Sequence, residues 1–480
     1  MNTNYDCMME ELFSADGWLN ATVTVINDVL WTYLLIGTLV ICGLWFTWRS
    51  RFVQFRMIGE MVRLLAESTD KHEGKHHISS FQAFAVSVAT RVGTGNLAGV
   101  ATAIALGGPG AVFWMWLIAL IGSATGFVEA TLAQLFKQKS EDSFIGGPAY
   151  YIRHGLRKPW MANLFAVLLT LTFGFAYNSI QSNTICGAMD MAFGFPPLYV
   201  GLFLVLISLT VIFGGIQRIA RVSSILVPLM AVSYFLLAIV IVVMNIDMLP
   251  AVLRLIVEDA FGIRQVAGGG MGMVMMMGIK RGLFSNEAGE GSAPNVAATA
   301  STSHPVKQGL IQALGVFTDT LLVCSCTAFI ILFSGVSTTS GLNGIMLTQT
   351  ALESQIGVFG PVFIAVAIFL FAYSSIIGNY YYGEANIRFL TSRRWVIQVY
   401  RVCSGGVMVF FGAVASLDMV WSIGDLFMAL LTATNLAAII FLGKYAFRLL
   451  SDYRRQKREG ISSPTFHRSQ LPELDLDCWE

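Results

Sequence analysis

The sequence predicts an all-α, polytopic membrane protein of about eleven transmembrane helices, arranged as an inverted five-plus-five repeat with two discontinuous helices. Three observations predict it. Hydrophobic residues make up 55% of the chain and charged residues only 12%, whereas soluble domains carry about 25% charged residues. Apolar stretches of about 20 residues, the length that crosses the hydrocarbon of a bilayer, recur from end to end. Two of these stretches, five spans apart, are interrupted at mid-depth by glycine and polar residues.

The spans fall near residues 30–47, 81–107, 111–136, 160–180, 198–215, 222–244, 265–300, 308–334, 359–379, 396–416 and 421–446. Residues 1–29 read as an extracytoplasmic segment and 30–47 as an extra first helix. Residues 81–244 and 265–446 read as the two five-helix repeats, and 447–480 as a cytoplasmic tail. The acidic N-terminal stretch lacks the basic region of a cleavable signal, so the first apolar stretch reads as a retained span. Lys and Arg set the orientation. They crowd the loop after the first span (Arg49, Arg51, Arg56, Arg63, Lys71, Lys75), alternate loops after it, and the tail. The intervening loops are poor in both, and 335–358 has neither. This alternation places the N-terminus outside and the C-terminus in the cytoplasm. The tail, from SDYRRQKREG onward, reads as polar and poorly ordered.

Composition also excludes functions. A net charge of +1 gives no basic excess for nucleic acid. The 7 cysteines are scattered, and Cys324 and Cys326 sit too close on one apolar helix to form a zinc knuckle. His72, His76 and His77 share one loop without nearby cysteines. No nucleophile–His–acid set or HExxH stands in a usable context, which argues against an enzyme. A channel is the rival class, with intramembrane Gly, Thr and Asn lining a filter. Channels, however, reach selectivity through symmetry about a pore, whereas these breaks are internal and paired.

The first break is Ala89-Thr90-Arg91-Val92-Gly93-Thr94-Gly95-Asn96-Leu97-Ala98-Gly99. Gly93 and Gly95 let the backbone leave helical angles. Unwound backbone at membrane depth is tolerated only where it faces protein, water or a ligand. Freed carbonyls are hard oxygen donors suited to sodium, and amides at the start of a resumed helix suit a carboxylate. The second break runs from Gly282 to Asn295 and holds Phe284, Ser285, Asn286, Glu287, Gly289 and Gly291, with Pro294 placed for the first turn of a resumed helix. Five spans of separation make the two units run in opposite directions, the inverted-repeat pattern of secondary transporters. Glu287 reads either as a ligand for an amine or as a partner of Arg91 or Arg281. Glu129 and Asp319 are further intramembrane acids, the first read as structural. Gly146-Gly147-Pro148-Ala149-Tyr150-Tyr151 reads as a turn into a short helix, either a plain connector or part of an inner gate.

Three of these stretches, ATRVGTGNLAGVA, GGPAYYI and FSNEAGEGSAPN, resemble signatures of the alanine or glycine:cation symporters, also called sodium:alanine symporters. The resemblance extends from about residue 20 to 455 and implies the leucine-transporter fold. It implies sodium-driven uptake of alanine or glycine across a bacterial inner membrane, with sodium as coupling ion, no cofactor and no obligate protein partner. Uptake of another small zwitterion, or proton coupling, is the alternative. The implied substrate residues are Gly93, Thr94, Gly95, Asn96 and Leu97 for the carboxylate, and Phe284, Ser285, Asn286, Glu287 and Gly289 around the amine. The implied sodium ligands are Thr90, Asn96, Thr318, Asp319, Ser374 and Ser375. Arg91 departs from that fold's pattern, because a cation beside a sodium site needs a partner.

Overall fold

The structure is a computed structural model that describes residues 18–66, 78–140, 144–262, 270–336 and 341–479. Among them, eight helices are long and apolar enough to cross a membrane: Thr22–Arg49, Ala111–Leu135, Pro159–Phe193, Gly215–Met244, Pro305–Phe333, Phe359–Leu390, Arg394–Val414 and Leu417–Arg458. The shorter Pro197–Ile212 and two interrupted spans complete the set of eleven read from the sequence. The second span is Ser80–Arg91 followed by Gly95–Gly107. The seventh is Met271–Asn286 followed by Pro294–Ala297. The start of the seventh span, and the loop holding His72, His76 and His77, lie outside the described residues.

Several boundaries differ from the sequence reading. The first helix begins at Trp18, well before residue 30, because WLNATVTVINDV continues the apolar helical pattern backward. The last span continues as helix through residue 447 to Arg458. At 1.5 Å per residue its 42 residues reach about 63 Å, twice the thickness of the hydrocarbon. The basic-poor stretch near 335–358 contains a helix, Gly344–Ile356, capped by the Asn343 side chain on the Gly344 amide.

The two interrupted spans are antiparallel, and their ends show it. The second span starts with a reciprocal cap in which Ser79 and Gln82 bond each other's backbone amides. Ile78, just before that cap, pairs with Ala300, just after the seventh span, and the Ser301 amide donates to the Ile78 carbonyl. The start of one span therefore meets the end of the other. Around this pair, spans five apart pack together: the third on the eighth, the fourth on the ninth, the fifth on the tenth. That is the contact pattern of two repeats related by an axis in the membrane plane.

The face rich in Lys and Arg, here the basic face, carries two further features. The Gly146–Gly147–Pro148 turn leads into the short helix Pro148–His154, with Pro148 in its first turn. The turn packs on Asn295 and Ala298 of the seventh span, and Tyr151 donates to the Asn435 side chain. The tail corrects the expectation of a loose polar segment. Phe466, Leu471, Leu474, Leu476 and Trp479 are buried. Their spacing follows neither helix nor strand, so no periodic pattern advertises them. The Phe466 amide donates to Ser303 O, Ser303 Oγ to Pro464 O, and Trp479 Nε1 to Gln134 O. Lys137 Nζ stands 4.8 Å from the Trp479 ring centre. The tail thus straps the third span's end, the loop after the seventh span, and the last helix together.

Candidate functional site

The first break is narrow and its cause can be followed atom by atom. The helix ends with the Val92 amide on Val88 O, 2.8 Å. In an uninterrupted helix Gly93 N would donate to Ala89 O, and Thr94 N to Thr90 O. Instead Gly93 N donates to Asn96 Oδ1 (2.9 Å) and Thr94 N to Gln181 Oε1 (3.1 Å). The carbonyls of Ala89 and Thr90 are released, and the ninth span answers them. Ser375 Oγ donates to Ala89 O (2.9 Å) and Thr90 O (3.2 Å), and Ser374 Oγ to Ala89 O (3.2 Å). The structure thus brings Ser374 and Ser375 onto the oxygen-rich end of the first half-helix. Thr90 Oγ1 is held by Ser87 O and the Tyr382 hydroxyl. Thr94 Oγ1 is buried without a hydrogen-bond partner among the described residues.

A second oxygen cluster surrounds Asp319, on a π-helical turn of the eighth span, Thr318–Cys324. Asn96 Nδ2 donates to Asp319 Oδ1 (2.7 Å), while Ser285 Oγ (2.7 Å) and Thr320 Oγ1 (2.9 Å) donate to Oδ2. Both interrupted spans therefore send a side chain to one carboxylate. Thr318 stays out of this cluster: its hydroxyl turns back to Leu314 O on its own helix, and Thr320 takes the place beside Asp319. Asn96 bridges the cluster to the break, its oxygen on Gly93 N and its nitrogen on Asp319.

The second break is longer. The helix stops at Asn286, Glu287 adopts φ 56°, and Gly289 and Gly291 follow at φ 103° and 81°. A left-handed conformation costs a residue with a Cβ about 1–2 kcal/mol, so Glu287 is held there by its surroundings. Asn286 Oδ1 accepts from Ala288 N. Glu129 Oε1 accepts from Gly289 N (3.3 Å), and its Oε2 accepts from Asn435 Nδ2 (2.9 Å), which also reaches Gly289 O. Ser292 Oγ donates to Glu287 Oε2 (2.5 Å). The helix resumes for one turn at Pro294–Ala297, with Pro294 in the first turn as the sequence indicates.

The two breaks touch. A Cβ on Gly95 would stand 3.0 Å from Ser285 Cα and 3.1 Å from the Phe284 ring. Phe284 lies between Tyr177 and Trp421, with ring centres 4.7 Å away on both sides. Leu97 is fully buried, and its carbonyl accepts from Thr348 on the helix Gly344–Ile356.

The charges pair differently from the sequence expectation. Arg281 forks onto Asp425 (3.0 and 2.8 Å), which Lys280 also reaches. Glu287 forms no ion pair with Arg281 or Arg91 among the described residues. Arg91 is fully buried and donates only from Nη1 to Gln312 O, leaving Nε and Nη2 without partners there.

Sequence reasoning missed Gln181, Tyr177, Trp421 and Glu290. Tyr177 donates to both Glu290 oxygens (3.3 and 3.4 Å). The polar run Asn178-Ser179-Ile180-Gln181-Ser182-Asn183 within an apolar span was the available signal for Gln181. Trp421 carries no local mark.

Two antiparallel broken helices meeting at a buried polar centre define a secondary transporter of the leucine-transporter fold. Solved structures share that fold. MhsT in complex with L-phenylalanine matches with a TM-score of 0.56 at 16% identity, covering 84% of this chain and 93% of that one. The substrate-bound, outward-open state of a Na+-coupled sialic acid symporter matches at 0.51 and 15% identity, covering 91% and 86%. Sequence narrows the class further. Residues 16–468 match the profile of the Sodium:alanine symporter family, and the chain belongs to that family. It is 53% identical to the probable sodium/glutamine symporter GlnT of Bacillus subtilis, over 96% of each chain. It is 35% identical to the sodium/alanine symporter AgcS of Methanococcus maripaludis, over 88% of this chain and 94% of that one. The chain is thus a symporter rather than an enzyme.

Proposed function

We propose that the protein couples sodium entry to uptake of a small neutral amino acid, alanine or glycine, by alternating access. The basic face is then cytoplasmic, in the plasma membrane of a bacterium. The observation that carries this reading is the meeting of the two breaks at Gly95 and Ser285, beside the unpartnered Thr94 hydroxyl and the Asp319 cluster. A zwitterion placed there sets its carboxylate toward the Gly93–Leu97 break. Its ammonium faces the Phe284–Gly289 stretch.

Sodium occupies two places in this reading. At the first, Asp319, Ser285 and Thr320 supply oxygens while Asn96 orients the carboxylate. The hydroxyls that now donate to Asp319 turn their lone pairs to the ion. At the second, Ala89 O and Thr90 O join Ser374 and Ser375. Coupling requires that the ions favour the state competent for substrate. The Gly344–Ile356 helix, bonded to Leu97 O, closes the outer side. The Gly146–Tyr151 turn and the tail close the inner side.

The 53% identity to a probable sodium/glutamine symporter favours glutamine as a second substrate reading. One experiment addresses both. Labelled alanine uptake into proteoliposomes is measured with and without an inward sodium gradient, in competition with glycine, alanine and glutamine. Sodium-stimulated uptake blocked by excess alanine or glycine is expected. Uptake indifferent to the gradient removes the coupling, and sodium-driven uptake of labelled glutamine with none of labelled alanine replaces the substrate.

A further inference from the structure

A basic cavity of about 710 Å³ lies at the end of the first and last spans, remote from both breaks. Arg49, Lys444, Arg448 and Arg455 line it, with Asp452 as the acidic member and Gln470 from the tail. We propose that this cavity binds the phosphate of an anionic phospholipid whose acyl chains lie along the neighbouring helix surfaces.

The charges are the first argument. Arg448 pairs with Glu473, and Arg455 with Asp452 (2.5 Å). Arg49 and Lys444 form no ion pair among the described residues. Arg49 is held by the faces of Trp45 (5.7 Å) and Phe447 (5.5 Å), and Lys444 Nζ lies 5.0 Å from the Tyr445 ring centre. Stacking fixes the guanidinium while leaving its donors for an anion. Two cations without an ion pair among the described residues, both facing one cavity, offer donors to a group with several acceptor oxygens.

Position selects the source of that phosphate. Phe441, Trp48 and Trp45, on the two helices that carry Lys444 and Arg49, are 68%, 63% and 45% exposed. Lys444 follows Phe441 by three residues, so one helix passes there from apolar surface to basic cavity. Exposed tryptophans at that transition mark the headgroup level of a bilayer. Basic pockets between membrane helices at that level suit acidic headgroups. A soluble phosphate compound has no use for the apolar margin.

The test uses the full-length protein in vesicles of phosphatidylcholine with about 20 mol% phosphatidylglycerol, a fraction that leaves both lipids available. Lipid retained after extraction into detergent is counted by native mass spectrometry. The wild type is expected to retain phosphatidylglycerol in preference to phosphatidylcholine. Arg49→Gln/Lys444→Gln is expected to lower that retention about tenfold at an unchanged melting temperature. Should the double variant fail to fold, Lys444→Gln alone is expected to lower it about threefold, since its ammonium has no carboxylate partner to orphan. Equal retention by variant and wild type, or no preference for the anionic lipid, overturns the proposal. Displacement of the lipid by excess pyrophosphate also overturns it, by assigning the cavity to a soluble phosphate compound.

Discussion

The two breaks solve the same problem in opposite ways. The first interrupts its helix only around Val92 and Gly93 and hands each released group to a side chain: Asn96, Gln181, Ser374 and Ser375. The second leaves helical geometry from Glu287 through 293, with three left-handed residues, and is held mainly by Glu129 and Asn435 of two other spans. Under the proposed function the short gap is the oxygen cradle and the long loop, secured from two other spans, is the hinge, so binding geometry and movement fall to different spans.

Substitution at the glycines breaks the comparison most sharply. Gly95→Val places a branched side chain against the Ser285 backbone, which cannot give way. Sodium-driven uptake is expected to fall by about a hundredfold, corresponding to about 2.7 kcal/mol and within the range of overpacking costs. Gly289→Ala instead meets the flexible Leu436 side chain at 3.3 Å and adds left-handed strain. About tenfold slower uptake is expected, in line with about 1–2 kcal/mol. Equal loss in both variants, at equal expression, would show that the breaks do not differ in rigidity.

The acids sharpen the same contrast. Asp319→Asn removes the charge from the oxygen cluster, and the sodium concentration for half-maximal uptake is expected to rise about tenfold or more. Glu129→Gln weakens the grip on Gly289 N and Asn435. The maximal rate is expected to fall severalfold with sodium dependence little changed. A sodium shift in the Glu129 variant equal to that in Asp319→Asn would place both acids at the ion.

The smallest effect concerns the tail. His304 lies on the basic face, against Asp452, Tyr453 and Phe466. Burial holds its imidazole below the ordinary value of 6.5, against the pull of Asp452. The unfolded chain therefore takes up this proton at a higher pH than the fold does. The stability contributed by neutral His304 is complete above pH about 6.5 and is lost as the pH falls below it. Thermal melting between pH 7.5 and 5.5 (about the span in which His titrates) should show a fall of a few degrees that His304→Gln flattens. An unchanged slope in the variant would assign the acid sensitivity elsewhere.

Much of this was legible in one dimension. The spans follow from apolar length, and the breaks from glycine pairs beside polar and charged residues at membrane depth, where released backbone needs a partner. Their antiparallel relation follows from the odd spacing between them. Asp319 was named through the fold resemblance, and only the structure singled it out from Thr318 by gathering Asn96, Ser285 and Thr320 on its carboxylate. Tyr177 and Trp421 were not legible, because each lies on an unbroken helix and acquires its role only by facing a break, while the polar run around Gln181 marks a buried polar face without saying which break it meets. Glu290 stood inside the recognised motif, but nothing in its neighbours announced Tyr177. The tail misled because its buried residues follow no period.

The sequence by itself determined that the chain crosses a membrane, where its helices must open, and which family it resembles, since these depend on local composition and spacing. Only the tertiary structure decided who occupies each opening. It turned Arg281 to Asp425 and gave Arg91 the Gln312 carbonyl, with two guanidinium nitrogens lacking partners among the described residues. It gave Glu129 to the second break and folded the tail onto the basic face. The physical reason is that partner choice is settled by packing between spans hundreds of residues apart, and a released carbonyl or a buried charge accepts whichever neighbour the fold delivers.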